Sequence, residues 1–191
     1  MKKAAARKTF LAQRKQISLE KIAKLSQQIA KLFFANFDLQ NIKTIHVFLP
    51  IKKRNEADTF HIINQLREYF PQIEILIPKA NFINFSMENY LFHSTINFQE
   101  NDWGILEPVG ESPLSANHPI DLVFLPLIAF DKSGYRVGYG KGFYDRFLAK
   151  CSPQLIKVGL SIFEPIETIE DVNELDIKMD FCITPMQVYR F

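Results

Sequence analysis

The segment Arg136–Arg146, RVGYGKGFYDR, contains three glycines that alternate with Tyr139 and Lys141. Glycine lets backbone N–H groups approach a phosphate closely, and a helix that begins just after such a loop attracts anions. Lys141 adds a mobile cation, and Asp145 is a carboxylate of the kind that holds the magnesium of nucleotide phosphates. The segment therefore predicts a nucleotide-phosphate site, with a tight strand-to-helix turn as the alternative.

The glycine spacing differs from the two best-known phosphate-binding motifs. The dinucleotide fingerprint needs two residues before its third glycine, and a Walker A loop needs Ser or Thr after its lysine, where this chain has Gly142. Arg136, which precedes the glycines, is a candidate to clamp a phosphate oxygen with two hydrogen bonds. Its alternative role is a surface ion pair with Asp131. The pattern by itself leaves phosphate binding and a structural turn both open.

A short apolar run, Asp121–Pro126, leads toward this loop and is typical of a buried strand in a parallel sheet. Strand and helix patterns alternate along the chain. The predicted helices cover residues 4–16, a segment capped by Ser18, a segment capped by Asp58 or Thr59, and residues 143–150. The predicted strands cover residues 44–49, 73–77, 122–125, 156–162 and 181–184, with edge strands or a hairpin between residues 82 and 100.

This alternation predicts the α/β fold class. We expect a single three-layer domain over residues 1–191, with a mostly parallel sheet and helices on both faces. Such folds bind ligands beyond the carboxyl ends of their strands. Glu56 lies in the loop after the first predicted strand, so it is either a ligand-binding carboxylate or a solvated loop acid.

Composition limits the class of protein. A chain of 191 residues with 47% hydrophobic residues can bury a full core as one domain. Two cysteines, Cys151 and Cys182, are too few for a disulfide framework and suit a reducing cytosol, so we expect a cytoplasmic protein. No apolar run is long enough to span a membrane, and the four histidines lack metal-ligand spacing.

Positive charge is concentrated at the amino terminus. Residues 1–31 contain nine basic residues and one acid, Glu20, so this segment carries +8 and the remainder of the chain −6. The functional alternatives are a transit peptide, a nucleic-acid-binding arm and a helix that closes over an anionic ligand, beside a solvated charged face. The segment continues directly into a helical pattern, which disfavours a transit peptide.

The residues from Pro126 to Arg146, PLIAFDKSGYRVGYGKGFYDR, resemble the signature of the 5-formyltetrahydrofolate cyclo-ligase (methenyltetrahydrofolate synthetase) family. Three weaker segments fit the same family in the same order. They are a basic amino-terminal helix with Lys3, Arg7, Arg14 and Ser18, the acidic segment Glu56–Thr59, and the segment Trp103–Pro108, which ends in Glu-Pro. The resemblance runs over most of the chain, and the long signature is highly specific.

The resemblance implies a set of functional residues. ATP would be bound by Lys3, Arg7, Arg136, Gly138, Gly140, Lys141, Gly142, Phe143 and Tyr144. Three of the same residues would act in catalysis: Lys141, Arg136 and Tyr144. Folate would be bound by Leu49, Glu56, Trp103, Phe143 and Tyr144. In this set the Glu56 carboxylate accepts hydrogen bonds from the N–H groups of a reduced pterin. Magnesium would be held by Asp145 and Asp176, with Asp180 as the rival second ligand.

The implied activity is the ATP-dependent cyclisation of 5-formyltetrahydrofolate to 5,10-methenyltetrahydrofolate, with Mg²⁺ as cofactor and ADP and phosphate as by-products. We expect a monomer that binds reduced folate and ATP, and neither nucleic acid nor membrane. The alternatives are a non-catalytic module that binds nucleotide or nucleic acid, and a sugar-phosphate enzyme. The chain departs from the family at Tyr139, where some members carry a basic residue, and at Phe143, which lacks the hydroxyl of a common tyrosine.

Overall fold

The computed structural model describes all residues from 1 to 191. The helices are α1 (Lys3–Lys15), α2 (Leu19–Asn36), α3 (Phe60–Tyr69) and α4 (Phe143–Leu148), with a short 3₁₀ turn at Lys52–Arg54. The strands are β1 (Thr44–His46), β2 (Glu74–Asn81), β3 (Ser86–Leu91), β4 (Asn97–Glu100), β5 (Leu106–Val109), β6 (Leu122–Pro126), β7 (Ala129–Phe130), β8 (Arg136–Val137), β9 (Ile156–Leu160), β10 (Phe181–Ile183) and β11 (Val188–Arg190). None of the helices is long and apolar enough to cross a membrane.

Seven strands form the central sheet, in the order β11-β10-β9-β6-β1-β2-β3. The five strands from β10 to β2 run parallel, and one antiparallel strand closes each edge. Strand β1 pairs with β2 on one side and β6 on the other, so the winding of the chain reverses between β1 and β6. Such a reversal opens the crevice at which α/β sheets bind ligands.

Alternate residues of the central strand β6 face opposite sides of the sheet. Leu122 and Phe124 belong to a core shared with α2 and α3, in which Phe124 meets Phe33 edge to face with ring centres 4.8 Å apart. Val123 and Leu125 belong to a second core shared with α4. Helices therefore cover both faces, and the predicted mostly parallel α/β fold is confirmed.

The predicted elements match the structure in position more closely than in extent. The strand predicted over residues 44–49 ends at His46. The Val47 N–H still donates to the Leu76 carbonyl, whereas the Phe48 carbonyl accepts a hydrogen bond from the Thr59 hydroxyl at 2.6 Å. Ser18 caps α2 as predicted, with its hydroxyl accepting the Lys21 N–H at 3.3 Å. Strands β3 and β4 lie within residues 82–100, where edge strands or a hairpin are predicted, whereas β5, β7, β8 and β11 have no counterpart among the predicted elements.

Helix α1 is attached to the loops that follow β1 and β6. Only Ala6 and Arg14 of this helix are buried. Arg14 donates through Nη2 to the Leu127 carbonyl at 2.6 Å. The Asn55 side chain donates to the carbonyl groups of Arg14, at 3.0 Å, and Ile17, at 2.9 Å. The carboxyl end of α1 is thus held at the edge of the sheet where the winding reverses.

Candidate active site

The glycine loop, residues 138–142, connects β8 to α4. Gly140 and Gly142 have positive φ angles of 91° and 64°, a conformation that other residues adopt only with strain. Arg7 of α1 donates through Nε to the Gly138 carbonyl at 2.8 Å. A Cβ atom at Gly140 would lie 3.4 Å from the guanidinium carbon of Arg7. Helix α1 therefore packs directly against the loop, with the Arg7 guanidinium at contact distance from Gly140.

Lys141 is exposed at the tip of this loop. Its ammonium group lies 5.9 Å from the centre of the Phe85 ring and has no carboxylate partner. The neighbouring Arg146 donates to the Lys141 carbonyl, and also to the Phe85 carbonyl at 3.2 Å. The backbone of Lys141 is therefore fixed while its side-chain cation stands free beside the loop.

Arg136 is buried beneath the loop and is bonded to Asp145. Its Nη2 donates to Asp145 Oδ1 at 2.7 Å, and its Nη1 donates to the Ile177 carbonyl at 2.5 Å. The alternative ion pair between Arg136 and Asp131 is wrong, because Asp131 is also buried and its carboxylate accepts backbone N–H groups instead. Phosphate binding by Arg136 stays a prediction, and the contacts present favour a role in holding Asp145.

Asp145 and Asp176 lie in adjoining segments. The Ile177 N–H donates to Asp145 Oδ1 at 3.1 Å, and Ile177 directly follows Asp176. Asp176 forms an ion pair with Lys3 of α1, whose side chain is mostly buried. The amino-terminal helix is thus bound to the carboxylate segment through Lys3 and to the glycine loop through Arg7.

Asp180 lies elsewhere. Its carboxylate pairs with Lys157 at 2.8 Å, at the amino ends of β9 and β10 and so at the opposite edge of the sheet.

No group of three or more His, Cys, Asp or Glu side chains in the molecule could by itself hold a metal ion. Magnesium commonly takes one or two protein carboxylates and completes its shell with water and phosphate oxygens. Asp145 accepts both of its hydrogen bonds through Oδ1, which leaves Oδ2 free. The free Oδ2 of Asp145 is therefore compatible with a magnesium ion bound chiefly by a nucleotide, whereas Asp176 Oδ2 accepts hydrogen bonds from Lys3 and from the Asn173 N–H.

Glu56 is buried, with 6% of its surface exposed, in the loop after β1. Its carboxylate oxygens accept hydrogen bonds from the Ile51 N–H, at 2.7 Å, and from the Tyr139 hydroxyl. Burial raises the pKa of Glu56 above the usual value of 4.5, while these two hydrogen bonds and the charges of Arg14 and Arg54 oppose the rise. The structure therefore joins Glu56 to the glycine loop through Tyr139.

Tyr144 and His46 place unpaired polar atoms beneath the loop. The buried Tyr144 hydroxyl has no hydrogen-bond partner, and neither ring nitrogen of His46 has one. The two rings meet edge to face, with centres 5.9 Å apart. Burial lowers the pKa of His46 to about 3 and raises the pKa of Tyr144. Both side chains are therefore neutral near pH 7, and the Tyr144 hydroxyl is a buried group without a hydrogen-bond partner.

Aromatic side chains form a wall beside the loop. Trp103, which is 54% exposed between β4 and β5, stacks on Phe82 with ring centres 5.7 Å apart. Phe82 meets the Phe143 ring edge to face at 5.2 Å. Trp103 and Phe82 also line a cleft of about 380 Å³. Leu49, after β1, is buried in the main core. The exposed Trp103 and the half-buried Phe82 and Phe143 offer flat apolar surfaces of the kind that hold planar ligands.

The structure thus brings most of the predicted site residues to one edge of the sheet. Sequence reasoning missed the contacts of Tyr139, Arg54 and Phe82. The one available signal was an aromatic residue, Tyr139, between two glycines of the loop. Its partner Glu56 is 83 residues away in the chain, and no local pattern connects the two.

The sheet reversal, and the polar loops gathered beside it, define an α/β protein with one ligand-binding edge. The model of the 5-formyltetrahydrofolate cyclo-ligase family matches residues 1–185. The chain belongs to that family, and it is an enzyme, a ligase that acts on a folate.

Known relatives resemble the chain over nearly its whole length. The 5-formyltetrahydrofolate cyclo-ligase of Mus musculus is 31% identical over 176 residues, which cover 86% of this chain and 84% of the mouse protein. The enzyme of the same name from Mycoplasma pneumoniae is 28% identical and covers 96% of this chain and 98% of its own length. The NMR structure of Aquifex aeolicus 5,10-methenyltetrahydrofolate synthetase superimposes with a TM-score of 0.81 at 28% identity, covering 100% of this chain and 93% of the other.

Proposed function

We propose that the enzyme uses ATP and Mg²⁺ to convert 5-formyltetrahydrofolate to 5,10-methenyltetrahydrofolate, with release of ADP and phosphate. One observation carries this proposal: the glycine loop, which bears the free Lys141, is hydrogen-bonded through Tyr139 to Glu56. A loop suited to phosphate and a carboxylate suited to the N–H groups of a reduced pterin therefore adjoin each other where the sheet reverses. ATP bound at the glycine loop and a folate bound at Glu56 would therefore lie next to each other.

In this proposal the triphosphate of ATP lies along the glycine loop, whose main-chain N–H groups contact phosphate oxygens. Lys141 supplies a free cation, and Lys3 and Arg7 of α1, which are bonded to Asp176 and to the Gly138 carbonyl, add positive charge beside the loop. Phe143 and Tyr144, which begin α4 directly after the loop, complete this side of the site. Positive charge is needed here because the triphosphate and its transition state are strongly anionic.

Asp145 and Asp176 would hold Mg²⁺ together with nucleotide phosphates and water. The bound ion would neutralise charge on the phosphoryl group during its transfer. Arg136 fixes the Asp145 carboxylate through Oδ1 and leaves Oδ2 available, which supports a positioning role for this arginine.

The folate is assigned to the neighbouring loop and the aromatic wall. Glu56 would accept hydrogen bonds from the pterin, because each of its carboxylate oxygens is used only once within the protein. Trp103 and Phe143 would supply apolar surfaces to the flat parts of the folate. Leu49 would contribute to the floor of the site from beneath, since it is buried after β1.

The reaction needs alignment more than a nucleophilic side chain. The formyl oxygen is a poor leaving group until the γ-phosphoryl group is transferred to it, which breaks the bond to ADP. The N10 lone pair then attacks the formyl carbon, N10 loses its proton, and phosphate leaves with the electrons of the carbon–oxygen bond. The protein must hold the two ligands in line and stabilise the spreading charge.

Two other classes of function have less support. A nucleic-acid-binding arm would keep its cations exposed, whereas Lys3 pairs with Asp176, Arg7 contacts Gly138, and Arg14 is buried. A sugar-phosphate enzyme would need no ATP. We further infer that the enzyme acts as a cytoplasmic monomer, and its mass in solution would test the oligomeric part of this inference.

The test is a spectrophotometric assay. Purified protein is mixed with magnesium-ATP and 5-formyltetrahydrofolate, and the absorbance of the methenyl product is followed. We expect product only when all components are present, together with one ADP for each methenyl group formed. Product formation without ATP, or ATP hydrolysis that is independent of the folate, would overturn the proposal.

A further inference from the structure

Tyr139 joins three separate parts of the ligand-binding edge. Its hydroxyl donates to Glu56 Oε1 and accepts from Arg14 Nη1 at 3.3 Å. The guanidinium carbon of Arg54 lies 4.4 Å above the centre of its ring, within the range of a cation–π contact. Tyr139 thereby links the glycine loop to α1 and to the 3₁₀ turn that precedes Glu56.

The direction of these hydrogen bonds follows from their donors. Arg14 carries only donors, so the Tyr139 oxygen must accept from it, and the phenolic hydrogen is directed to the Glu56 carboxylate. The other Glu56 oxygen is fixed by the Ile51 N–H. The carboxylate plane is thereby held from two sides, and each oxygen retains a lone pair for an outside donor.

The same contacts act on the charge of Glu56. Burial favours its neutral form, and the groups that face it from the packed elements are Arg14 of α1, Arg54 of the 3₁₀ turn, Tyr139 of the glycine loop and Tyr144 of α4. Among these groups only Tyr139 donates a hydrogen bond directly to the carboxylate. Loss of that donor would make ionisation of Glu56 more difficult.

We propose that Tyr139 is a positioning residue for folate binding, which orients the Glu56 carboxylate and keeps it an acceptor for the N–H groups of the pterin. The inference rests on the proposed function of the site. Tyr139 acts through Glu56 and does not touch the reacting atoms. The residue at this position of the glycine loop therefore serves the folate rather than the nucleotide phosphates.

The test is Tyr139→Phe, which removes the hydroxyl and keeps the ring under Arg54. We expect the KM for 5-formyltetrahydrofolate to rise about tenfold, while kcat and the KM for ATP change by less than about twofold. The rise in folate KM should be larger at lower pH, because the unsupported Glu56 carboxylate takes up a proton more readily. Tyr135→Phe is the matched control, since the Tyr135 ring packs on the cluster of Ala6, Val137 and Ile169 and its hydroxyl has no hydrogen bond.

A double-mutant cycle with Glu56→Ala separates action through Glu56 from any other route. In the Glu56→Ala background, Tyr139→Phe should leave the folate KM unchanged. Direct titration of both proteins with 5-formyltetrahydrofolate, without ATP, measures binding independently of turnover. Thermal denaturation of each variant identifies any loss of folding.

Each outcome bears on the inference. A rise in the KM for ATP with an unchanged folate KM would assign Tyr139 to the nucleotide and overturn it. An equal effect of Tyr139→Phe with and without Glu56 would also overturn it. If the wild-type protein binds 5-formyltetrahydrofolate but forms no methenyl product, the proposed reaction fails while the titration still decides the role of Tyr139. If the wild-type protein does not bind the folate, both proposals fail.

Discussion

Arg136 and Asp145 form an ion pair of 2.7 Å in which the arginine side chain is 6% exposed and the aspartate side chain 26%. The same arginine reaches the Ile177 carbonyl, and the Ile177 N–H returns to the same aspartate oxygen. This closed set of contacts fixes the carboxylate that we assign to magnesium. The glycine loop between the two residues is therefore bounded by a pair that sets its shape.

The first prediction concerns this pair. Arg136→Ala should destabilise the protein by about 2 kcal/mol, because it leaves Asp145 and the Ile177 carbonyl without their partner in a partly buried place. Asp145→Ala should remove most turnover and also lower stability without preventing folding, because it leaves the buried Arg136 without its carboxylate. Urea unfolding and the methenyl assay measure the two effects. The double variant should be less unstable than the sum of the single variants, and strict additivity would show that the pair contributes nothing.

The second prediction concerns the free cation of the loop. Lys141→Ala should lower kcat/KM for ATP by roughly a hundredfold, since it removes a charge assigned to the transferring phosphate. The melting temperature should stay unchanged because the side chain is exposed. Lys8→Ala, at an exposed position of α1, is the matched control for loss of a positive charge. Near-normal turnover by Lys141→Ala would remove Lys141 from the site.

The third prediction compares two glycines with positive φ. Gly140→Ala and Gly110→Ala should each lower stability by about 1 kcal/mol, because both residues have φ angles near the left-handed region. Only Gly140→Ala should raise the KM for ATP, since the backbone strain falls within the loop assigned to the nucleotide phosphates. Equal kinetics for the two variants would show that the backbone conformation at Gly140 is not needed for nucleotide binding.

The fourth prediction concerns pH and the buried His46. Its pKa is lowered from 6.5 to about 3 in the folded protein. Between these two values the unfolded chain binds more protons than the folded protein, so His46 makes the protein less stable as pH falls from 6.5 toward 3. In His46→Leu the free energy of unfolding should fall less steeply as the pH is lowered. Urea unfolding of both proteins at neutral pH and at about pH 5 measures this difference. Stability curves of wild type and variant that stay parallel would contradict the buried neutral histidine.

The sequence was sufficient for the fold class and for the position of the main loop. Apolar runs such as Leu122–Leu125 have the period and composition of buried strands, and a loop with three glycines before a helix is a local feature. The pairing of β4 with β5 and the hairpin β7–β8 were not predicted, because these strands have two to four residues and depend on tertiary contacts.

Individual residues of the candidate site could be predicted from the sequence only where they belong to a recognisable motif. Lys3 and Arg7 were assigned to a ligand through the family resemblance, and the structure brings them against Asp176 and Gly138. The partner of Arg136 was mistaken, because Asp131 is closer in sequence on the other side of the turn, whereas side-chain direction in the fold selects Asp145. Contacts across long chain separations have no signature in a single sequence.

Helix α1 contributes few apolar groups to the interior, namely the buried Ala6 and the Phe10 ring, which meets Phe163 with ring centres 5.2 Å apart. The position of α1 on the domain depends on hydrogen bonds to the same loops that would bind the ligands. Docking of this helix and assembly of the catalytic edge are therefore one event. A mutation or a high salt concentration that weakens the contacts of α1 would disrupt the active site while the hydrophobic core stayed intact. The amide protons of α1 would then be the first in the protein to exchange with solvent.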